Sequence, residues 1–378
     1  MHVPFFDLRV LNNELHSELI ESVERVFRHG KLMLGPEVEE FERNVAKAAG
    51  TNYAIGVASG SSALYLALKS SGIGPGDEVI TTPLTWIITL NAIAACGATP
   101  VCIDIREDFN IDPDEIEPAI TASTKAIVPV HFTGQMCEMD KICRIAERNN
   151  LVIVEDAAQA YGGEYKSQKA GSFSKAAAFS MNSMKVLGGY GEAGAVTTND
   201  HEIYETVKML RYAGTKSDPA KKITNECFYV SLNHKIDTLQ AALLLIMMKH
   251  LPERMKRRTE IATRYNNALS DLVFCPQFQT GNIHALYTYA IQTEYRDQMQ
   301  EYLHKNHIET KIYHVPLASD APVYAGQRRR DTPVARKVLD RFLSIPAHEK
   351  MSDEQVEYVI NTLQGFFRKG RTPFGQQK

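Results

Sequence analysis

Near its middle the chain reads Leu151-Val152-Ile153-Val154-Glu155-Asp156-Ala157-Ala158-Gln159-Ala160. Four apolar residues that run into two carboxylates are typical of a buried parallel strand, and open α/β sheets bind ligands beyond the C-terminal ends of such strands. Because side chains alternate between the faces of a strand, only one of Glu155 and Asp156 is expected to face a site. An acid at this point can hold a metal, an arginine or a protonated ring nitrogen. The structural alternative is a helix N-cap.

Short apolar runs alternate with helical segments along the flanking chain. Pro36 suits the first turn of a helix that is predicted to run to about Gly50, and further helices are predicted at 63–69 and 139–149. Predicted strands lie at 53–58, 79–82, 100–104 and 125–130. This alternation predicts an α/β fold built on a mainly parallel sheet.

The alternation of short apolar runs with helical segments changes in the last third of the chain. A basic, polar helix is predicted over Glu253–Leu269, a less regular strand over 310–315, and a helix with apolar residues at helical spacing over Asp353–Phe367. The change predicts two domains, a large α/β domain at residues 1–250 and a smaller C-terminal α/β domain at 251–378.

Composition excludes several classes of protein. Of 378 residues, 44% are hydrophobic and 23% charged, and the formal net charge of -3 gives no overall basic field that would attract nucleic acid or a membrane. The six cysteines form no CxxC pair, which favours reduced thiols over a disulfide framework. The N-terminus shows no signal peptide, and neither 84–103 nor 241–248 has the uninterrupted length of a membrane span. A cytoplasmic protein is therefore expected.

Two glycine-containing segments are candidate ligand loops. Residues 189–194 match G-x-G-x-x-G, but a lysine-containing loop precedes them and a strand-like segment follows, so a dinucleotide site is disfavoured. The segment Ser59-Gly60-Ser61-Ser62 lies between a predicted strand and a predicted helix, where free N–H groups and the helix dipole favour an anion. A plain helix N-cap is the structural alternative there.

Lys185 follows the strand-like Ala178-Phe179-Ser180 and enters a glycine-rich turn. Most lysines are solvated, and one lysine means little by itself. An anion cradle at 60–62, an acid at 156 and a lysine on a later loop together supply a phosphate site, a partner for a pyridinium nitrogen and an amine. These are the parts that pyridoxal phosphate requires. Metal is disfavoured because no nearby His or Cys set has ligand spacing.

Further segments carry a family resemblance, in order along nearly the whole chain. They are Gly35-Pro36-Glu37-Val38-Glu39-Glu40-Phe41-Glu42, Ser59-Gly60-Ser61-Ser62-Ala63-Leu64, Gly74-Pro75-Gly76-Asp77-Glu78-Val79-Ile80, Gly97-Ala98-Thr99-Pro100, Val154-Glu155-Asp156-Ala157-Ala158-Gln159-Ala160 and Leu239-Gln240-Ala241-Ala242. The sequence resembles the DegT/DnrJ/StrS aminotransferases, the sugar-aminotransferase family of fold-type-I pyridoxal-phosphate enzymes. The resemblance implies a large, mostly parallel-sheet domain with a smaller C-terminal domain, and pyridoxal 5'-phosphate as cofactor.

The resemblance also implies roles for single residues. Lys185 would join the cofactor covalently and then act as general base and acid, and Asp156 would pair with the pyridinium nitrogen. Gln159 would bond the ring oxygen, and Trp86, the only tryptophan, would stack on the ring. The implied phosphate contacts are Gly60, Ser61, Ser62 and Ser180. Asn233 would reach the phosphate of the neighbouring subunit, which implies a homodimer with shared active sites.

The implied reaction is amination of a keto sugar, expected to be nucleotide-linked, with glutamate or glutamine as donor. The family's substrate loop is matched only loosely by 312–317, and Tyr313, His314 and His284 are candidate sugar contacts. For His314 and His284 a structural role is an equally good explanation. His131 is expected to be structural. The run Arg328-Arg329-Arg330 could meet a diphosphate, but a solvated loop explains it more simply.

Two alternatives stay open. One is a relative that forms a cyclitol amine or aminohydroxybenzoate, and the other is a non-catalytic regulator that merely binds the cofactor. The lysine at 185 argues against the family's pyridoxamine-dependent dehydratases, which carry histidine at that position.

Overall fold

The computed structural model describes residues 1–218, 223–326, 330–368 and 371–375. Its strands are β1 (Tyr53–Val57), β2 (Glu78–Thr81), β3 (Thr99–Cys102), β4 (Thr124–Ile127), β5 (Val152–Asp156), β6 (Glu164–Tyr165), β7 (Gln168–Lys169), β8 (Ala176–Ser180), β9 (Gly194–Thr198), β10 (Thr215–Asp218), β11 (Ile223–Cys227), β12 (Tyr289–Gln292) and β13 (Phe342–Ile345). Its α-helices are α1 (Asn13–His29), α2 (Pro36–Ala49), α3 (Gly60–Ser70), α4 (Ile88–Ala95), α5 (Met139–Arg148), α6 (His201–Arg211), α7 (Thr238–Leu269), α8 (Arg296–Lys305), α9 (Pro333–Arg341) and α10 (Asp353–Phe367).

The large sheet has seven strands in the order β1-β9-β8-β5-β4-β2-β3. Only β9 runs against the others, since it pairs antiparallel with both β1 and β8, while β8, β5, β4, β2 and β3 pair in parallel. The mainly parallel sheet predicted from the alternating pattern is confirmed. Both faces are covered, because Ile153 packs in one apolar cluster and its neighbour Val154 in another.

A second apolar core lies in the C-terminal region. It is built from the second half of α7, from the antiparallel pair β12 and β13, and from α8 and α10, and it also takes in Val3 from the N-terminus. Tyr265 is completely buried there, and its hydroxyl donates to Pro346 O at 2.8 Å. The helix predicted over 353–367 is present as α10.

Two predictions in this region differ from the structure, one in a boundary and one in the type of element. The helix predicted over Glu253–Leu269 is present and ends at Leu269, but its predicted start is wrong, because it is the second half of α7, which begins at Thr238 and continues through Pro252. Its apolar first half packs against the large sheet, so the sequence shows two different patterns within one helix. The predicted division at residue 250 stays a prediction, and that position lies inside α7.

The strand predicted over 310–315 is a loop. Lys311 pairs with Ser344 of β13 in an isolated bridge, and the chain then leaves the strand edge. Pro316, which has no N–H to donate, follows directly. The loop that results borders the cavity described below.

Within the described residues, no helix has the length and apolar character needed to cross a membrane.

Candidate active site

A cavity of about 650 Å³ lies at the C-terminal edge of the large sheet. The start of α3, the loop after β2, the ends of β5 and β8, and residues 311–315 contribute to its walls. The sequence-predicted residues that line it are Gly60, Ser61, Trp86, Asp156, Gln159, Ser180, Lys185, Tyr313 and His314. The fold therefore brings together residues that are far apart in the sequence, from Gly60 to His314.

The first turn of α3 forms an anion cradle on one wall. Ser59 caps the helix, and its Oγ accepts a hydrogen bond from Ser62 N–H at 3.1 Å. The first N–H groups of a helix have no intrahelical acceptor, and together with the helix dipole they favour an anion. A Cβ added to Gly60 would lie 2.5 Å from Ser180 Cβ, so only glycine lets the end of β8 approach this turn.

Asp156 ends β5 and is buried against the cavity. Its Oδ2 accepts from Thr89 Oγ1 at 2.8 Å, and its Oδ1 accepts from Ala158 N–H at 3.2 Å. Burial raises the pKa of Asp156, and these hydrogen bonds and the Lys185 charge oppose that rise. Each carboxylate oxygen keeps a further lone pair, so Asp156 can still accept from a cationic N–H in the cavity.

Glu155 lies on the opposite face of β5 and does not line the cavity. It is completely buried, and its Oε2 is 3.0 Å from His131 Nε2. His131 Nδ1 accepts from Cys137 N–H at 3.2 Å, so the ring proton is on Nε2 and is donated to Glu155. His131 thus has a structural position, with both ring nitrogens in use.

Lys185 lies on the loop after β8, where its Nζ is 4.2 Å from the centroid of the Tyr287 ring. Burial lowers the pKa of Lys185 to about 8, although the charges of Asp156 and Glu192 act in the opposite direction. The lowered pKa leaves a substantial fraction of the amine neutral at slightly alkaline pH. A neutral amine is the form that attacks an aldehyde and accepts protons.

Gln159 and Trp86 complete the part of the cavity near Asp156. Gln159 Oε1 accepts from Thr133 N–H at 2.7 Å, which leaves the amide NH₂ group as the donor for a ligand. Trp86 is 55% exposed, and its ring centroid is 5.1 Å from that of His314. An exposed indole beside an open cavity can stack on a flat ligand.

Three predicted residues lie outside the cavity lining. Ser62 lies in the first turn of α3, and its Oγ is 2.9 Å from His234 Nδ1. Asn233 is exposed, and its Oδ1 accepts from Lys235 N–H. His284 accepts from Leu286 N–H through Nδ1, and burial lowers its pKa to about 3, which is a structural position.

The basic run at 328–330 falls partly on residues that the structure does not describe. Arg328 and Arg329 lie outside the described residues. Arg330 donates to Pro118 O at 2.9 Å and does not line the cavity.

Sequence reasoning missed several residues that line the cavity, namely Thr85, Thr89, Tyr287 and Lys311. Thr89 contacts Asp156 directly, and Lys311 brings a second cation to the cavity. Thr85 is the threonine of the Pro83-Leu84-Thr85 segment directly before Trp86, and the other three belong to no short motif. Lys311 was part of the segment predicted as a strand. A buried threonine or tyrosine in a binding site has no local sequence pattern that distinguishes it from one in an ordinary core.

Among the described residues no cluster of three His, Cys, Asp or Glu side chains is placed to hold a metal ion.

Comparison with known proteins decides the class of this site. A model of the DegT/DnrJ/EryC1/StrS aminotransferase family matches residues 13–364. The chain belongs to this family. It is a pyridoxal-phosphate-dependent aminotransferase, in agreement with the family resemblance and the cofactor expected from the sequence.

Relatives match over almost their whole length. The dTDP-3-amino-3,6-dideoxy-alpha-D-galactopyranose transaminase of Aneurinibacillus thermoaerophilus is 37% identical, over 96% of this chain and 98% of that one. A pleiotropic regulatory protein of Geobacillus stearothermophilus is 36% identical, over 97% of this chain and 99% of that one. The crystal structure of NtdA from Bacillus subtilis with bound cofactor PMP superposes with a TM-score of 0.88 at 29% identity, covering 97% of this chain and 85% of that one.

The residues of the cavity fit this cofactor. The glycine at 60 leaves a cradle that a Cβ would fill, and helix N–H groups there suit a phosphate. Asp156 offers a buried acceptor for a ring N–H, Gln159 a donor for a ring oxygen, and Lys185 an amine of lowered pKa.

Gly60→Ala is expected to weaken pyridoxal phosphate binding by about tenfold or more, the equivalent of roughly 1.4 kcal/mol. The new Cβ would meet Ser180 Cβ and must displace β8 from the α3 turn. Gly74→Ala, where a Cβ meets open space, is the control. Cofactor dissociation constants measured by fluorescence titration test this, and equal affinities for the two variants would contradict it.

Capture of added pyridoxal phosphate by the apoprotein should speed up as pH rises, with a midpoint near 8. The neutral amine is the nucleophile, and the pKa of Lys185 is lowered to about 8. The measurement is the initial rate of borohydride-trapped adduct at Lys185 against pH, with Lys185→Ala as the blank. A midpoint near 10 would show that this amine is not buried in solution.

Proposed function

We propose that this aminotransferase aminates a keto sugar carried by a nucleotide, with glutamate or glutamine as the amino donor. The observation that carries the proposal is the lining of one cavity by Lys185, Asp156 and the Gly60–Ser61 turn, with Tyr313 and His314 nearby. The Aneurinibacillus relative, whose name gives a dTDP-linked amino sugar, supports the substrate class.

Bound pyridoxal phosphate supplies an electron-accepting ring that carries the amino group from donor to acceptor. The α3 turn and Ser180 would hold the phosphate, and Gln159 would donate to the ring oxygen. Asp156 would accept from the ring nitrogen and so favour its protonated form. Lys185 Nζ would take the proton from the amino-bearing carbon of the donor and, in the second half of the cycle, return one to the sugar carbon.

The nucleotide-sugar is proposed to enter beside residues 311–315. Lys311 lines this side of the cavity, and its Nζ lies 4.9 Å from the Phe6 ring centroid. A cation there suits a diphosphate. Trp86 and His314 present aromatic surface next to it for the sugar or base.

A homodimer with shared active sites is part of the proposal. The segment before Asn233 exposes large apolar side chains, with Val230 92% and Leu232 73% exposed, and such a patch is typical of a protein interface. A second copy of this chain would cover it and would bring the partner's Asn233 toward the cofactor phosphate.

A cytoplasmic location is proposed on the state of the cysteines. All six are thiols in the structure, and four of them are buried, which fits a reducing compartment.

The direct test starts from the pyridoxamine phosphate form of the enzyme and a panel of nucleotide-linked keto sugars. We expect one of them to restore the absorbance of the aldehyde form and to yield an amino sugar by mass spectrometry. Glutamate should then regenerate the pyridoxamine form, and Lys185→Ala should do neither. A wild-type protein that binds cofactor but converts neither glutamate nor any sugar would favour a non-catalytic regulator.

Mixing Asn233→Ala chains with Lys185→Ala chains should restore activity that neither variant has alone. A mixed dimer would contain one site with an intact Lys185 from one chain and an intact Asn233 from the other. Steady-state rates before and after subunit exchange give the measurement. No gain, with mixed dimers confirmed by native mass spectrometry, would place Asn233 outside its partner's site.

A further inference from the structure

Two buried threonines form a hydrogen-bonded chain that ends on Asp156. Thr89 Oγ1 donates to Asp156 Oδ2 at 2.8 Å, and Thr85 Oγ1 is 2.7 Å from Thr89 Oγ1. Both threonines are almost completely buried, at 2% and 1% exposure for Thr85 and Thr89. Thr89 belongs to none of the motifs quoted for the family resemblance, and Thr85 is the residue directly before Trp86.

Counting protons shows which group donates in each of these two hydrogen bonds. An ionised carboxylate only accepts, and each threonine has a single hydroxyl proton. Since the Thr89 proton is committed to Asp156, the Thr85 proton must point to Thr89. Both hydroxyl dipoles are therefore directed toward the carboxylate, and hydrogen bonds in a chain polarise and strengthen one another.

Helix α4 positions the two threonine hydroxyls. Thr89 lies in the first turn of α4, where its N–H donates to Trp86 O at 3.0 Å, and Thr85 lies in the loop just before. One short segment thus carries both the indole that is proposed to stack on the cofactor and the hydroxyls that bond its acid partner. The positive end of the α4 dipole also favours a negative charge at Asp156.

Without the two threonine hydroxyls, Asp156 would have few groups to stabilise its negative charge. Burial disfavours the carboxylate form, and the charged or titratable groups that face it in the described chain are the Lys185 amine and the His131 ring. The Lys185 amine would be bonded to the cofactor in the resting enzyme and would change its charge during the reaction, and the His131 proton is donated to Glu155. The threonine hydroxyls and the Ala158 N–H are the contributions that take no part in the reaction.

We propose that Thr89, supported by Thr85, is a positioning residue that holds Asp156 ionised and oriented for the ring nitrogen of the cofactor. The inference rests on the cofactor role of Asp156 within the proposed function. It predicts that kcat depends on the Thr89 hydroxyl, which lies outside the anion cradle and does not react.

The test compares Thr89→Val, which removes the hydroxyl and keeps the branched shape, with Thr89→Ser, which keeps a hydroxyl. Thr85→Val removes only the outer link. Thr81→Val is the matched control, because Thr81 is another buried threonine whose hydroxyl donates to Val128 O and does not touch Asp156.

The first measurement is carried out on the apoprotein and does not need turnover. Carboxyl ¹³C NMR, with Asp156→Asn used to assign the resonance, follows the titration of Asp156. We expect Thr89→Val to raise the midpoint by about one pH unit, a tenfold change in the ratio of acid to carboxylate. Thr85→Val should give a smaller rise, and Thr89→Ser and Thr81→Val should match the wild type.

The second measurement is made on the holoenzyme with glutamate. Thr89→Val should lower kcat by about tenfold with little change in KM, since a kcat loss alone marks an interaction needed in the reaction step. Thr89→Ser should restore kcat. Equal titration midpoints in Thr89→Val and Thr81→Val, or a Thr89→Ser variant as impaired as Thr89→Val, would overturn the inference. If wild-type enzyme converts no amino donor, the proposed function fails, while the NMR titration still decides the role of Thr89.

Discussion

The buried Glu155 carboxylate is the interaction on which the site depends. It accepts four hydrogen bonds, from His131 Nε2, Gly171 N–H, Phe173 N–H and Ser174 Oγ. A hydrogen bond to a charged group contributes about 1.5–3 kcal/mol, and a buried carboxylate without partners would be strongly destabilising. Glu155 therefore ties the end of β5 to the segment after β4 and to the turn before β8.

That network also fixes which acid faces the cofactor. A shift of one residue in β5 would place Glu155 at the cavity and Asp156 in the core, because the side chains of a strand alternate. Only Glu155 meets four donors on its side, so only one register satisfies both faces. The orientation of Asp156 toward the cavity is thus determined by Glu155, which does not line the cavity.

The sequence was informative where structure follows from local chemistry. The apolar runs predict the parallel sheet, and the position of Ser59–Ser62 between a strand and a helix predicts the anion cradle. It was uninformative where a contact joins distant segments. Tyr287 lies beside Lys185 because the C-terminal region meets the large sheet there, and Thr89 lies beside Asp156 because the start of α4 lies next to the end of β5. The loop at 311–315 has strand-like composition, and its departure from β13 is set by tertiary contacts.

Helix α7 joins the two apolar cores of the molecule. Its first half supplies Ala241 and Leu244 to the core at the large sheet, and its second half supplies Ile261 and Tyr265 to the C-terminal core. A cut near residue 250 would leave most of each half of α7 with the core that it packs against, and would break the continuous helix that joins the two cores. A recombination junction at that position would therefore fall inside a helix, whereas a junction outside α7 would keep the helix intact.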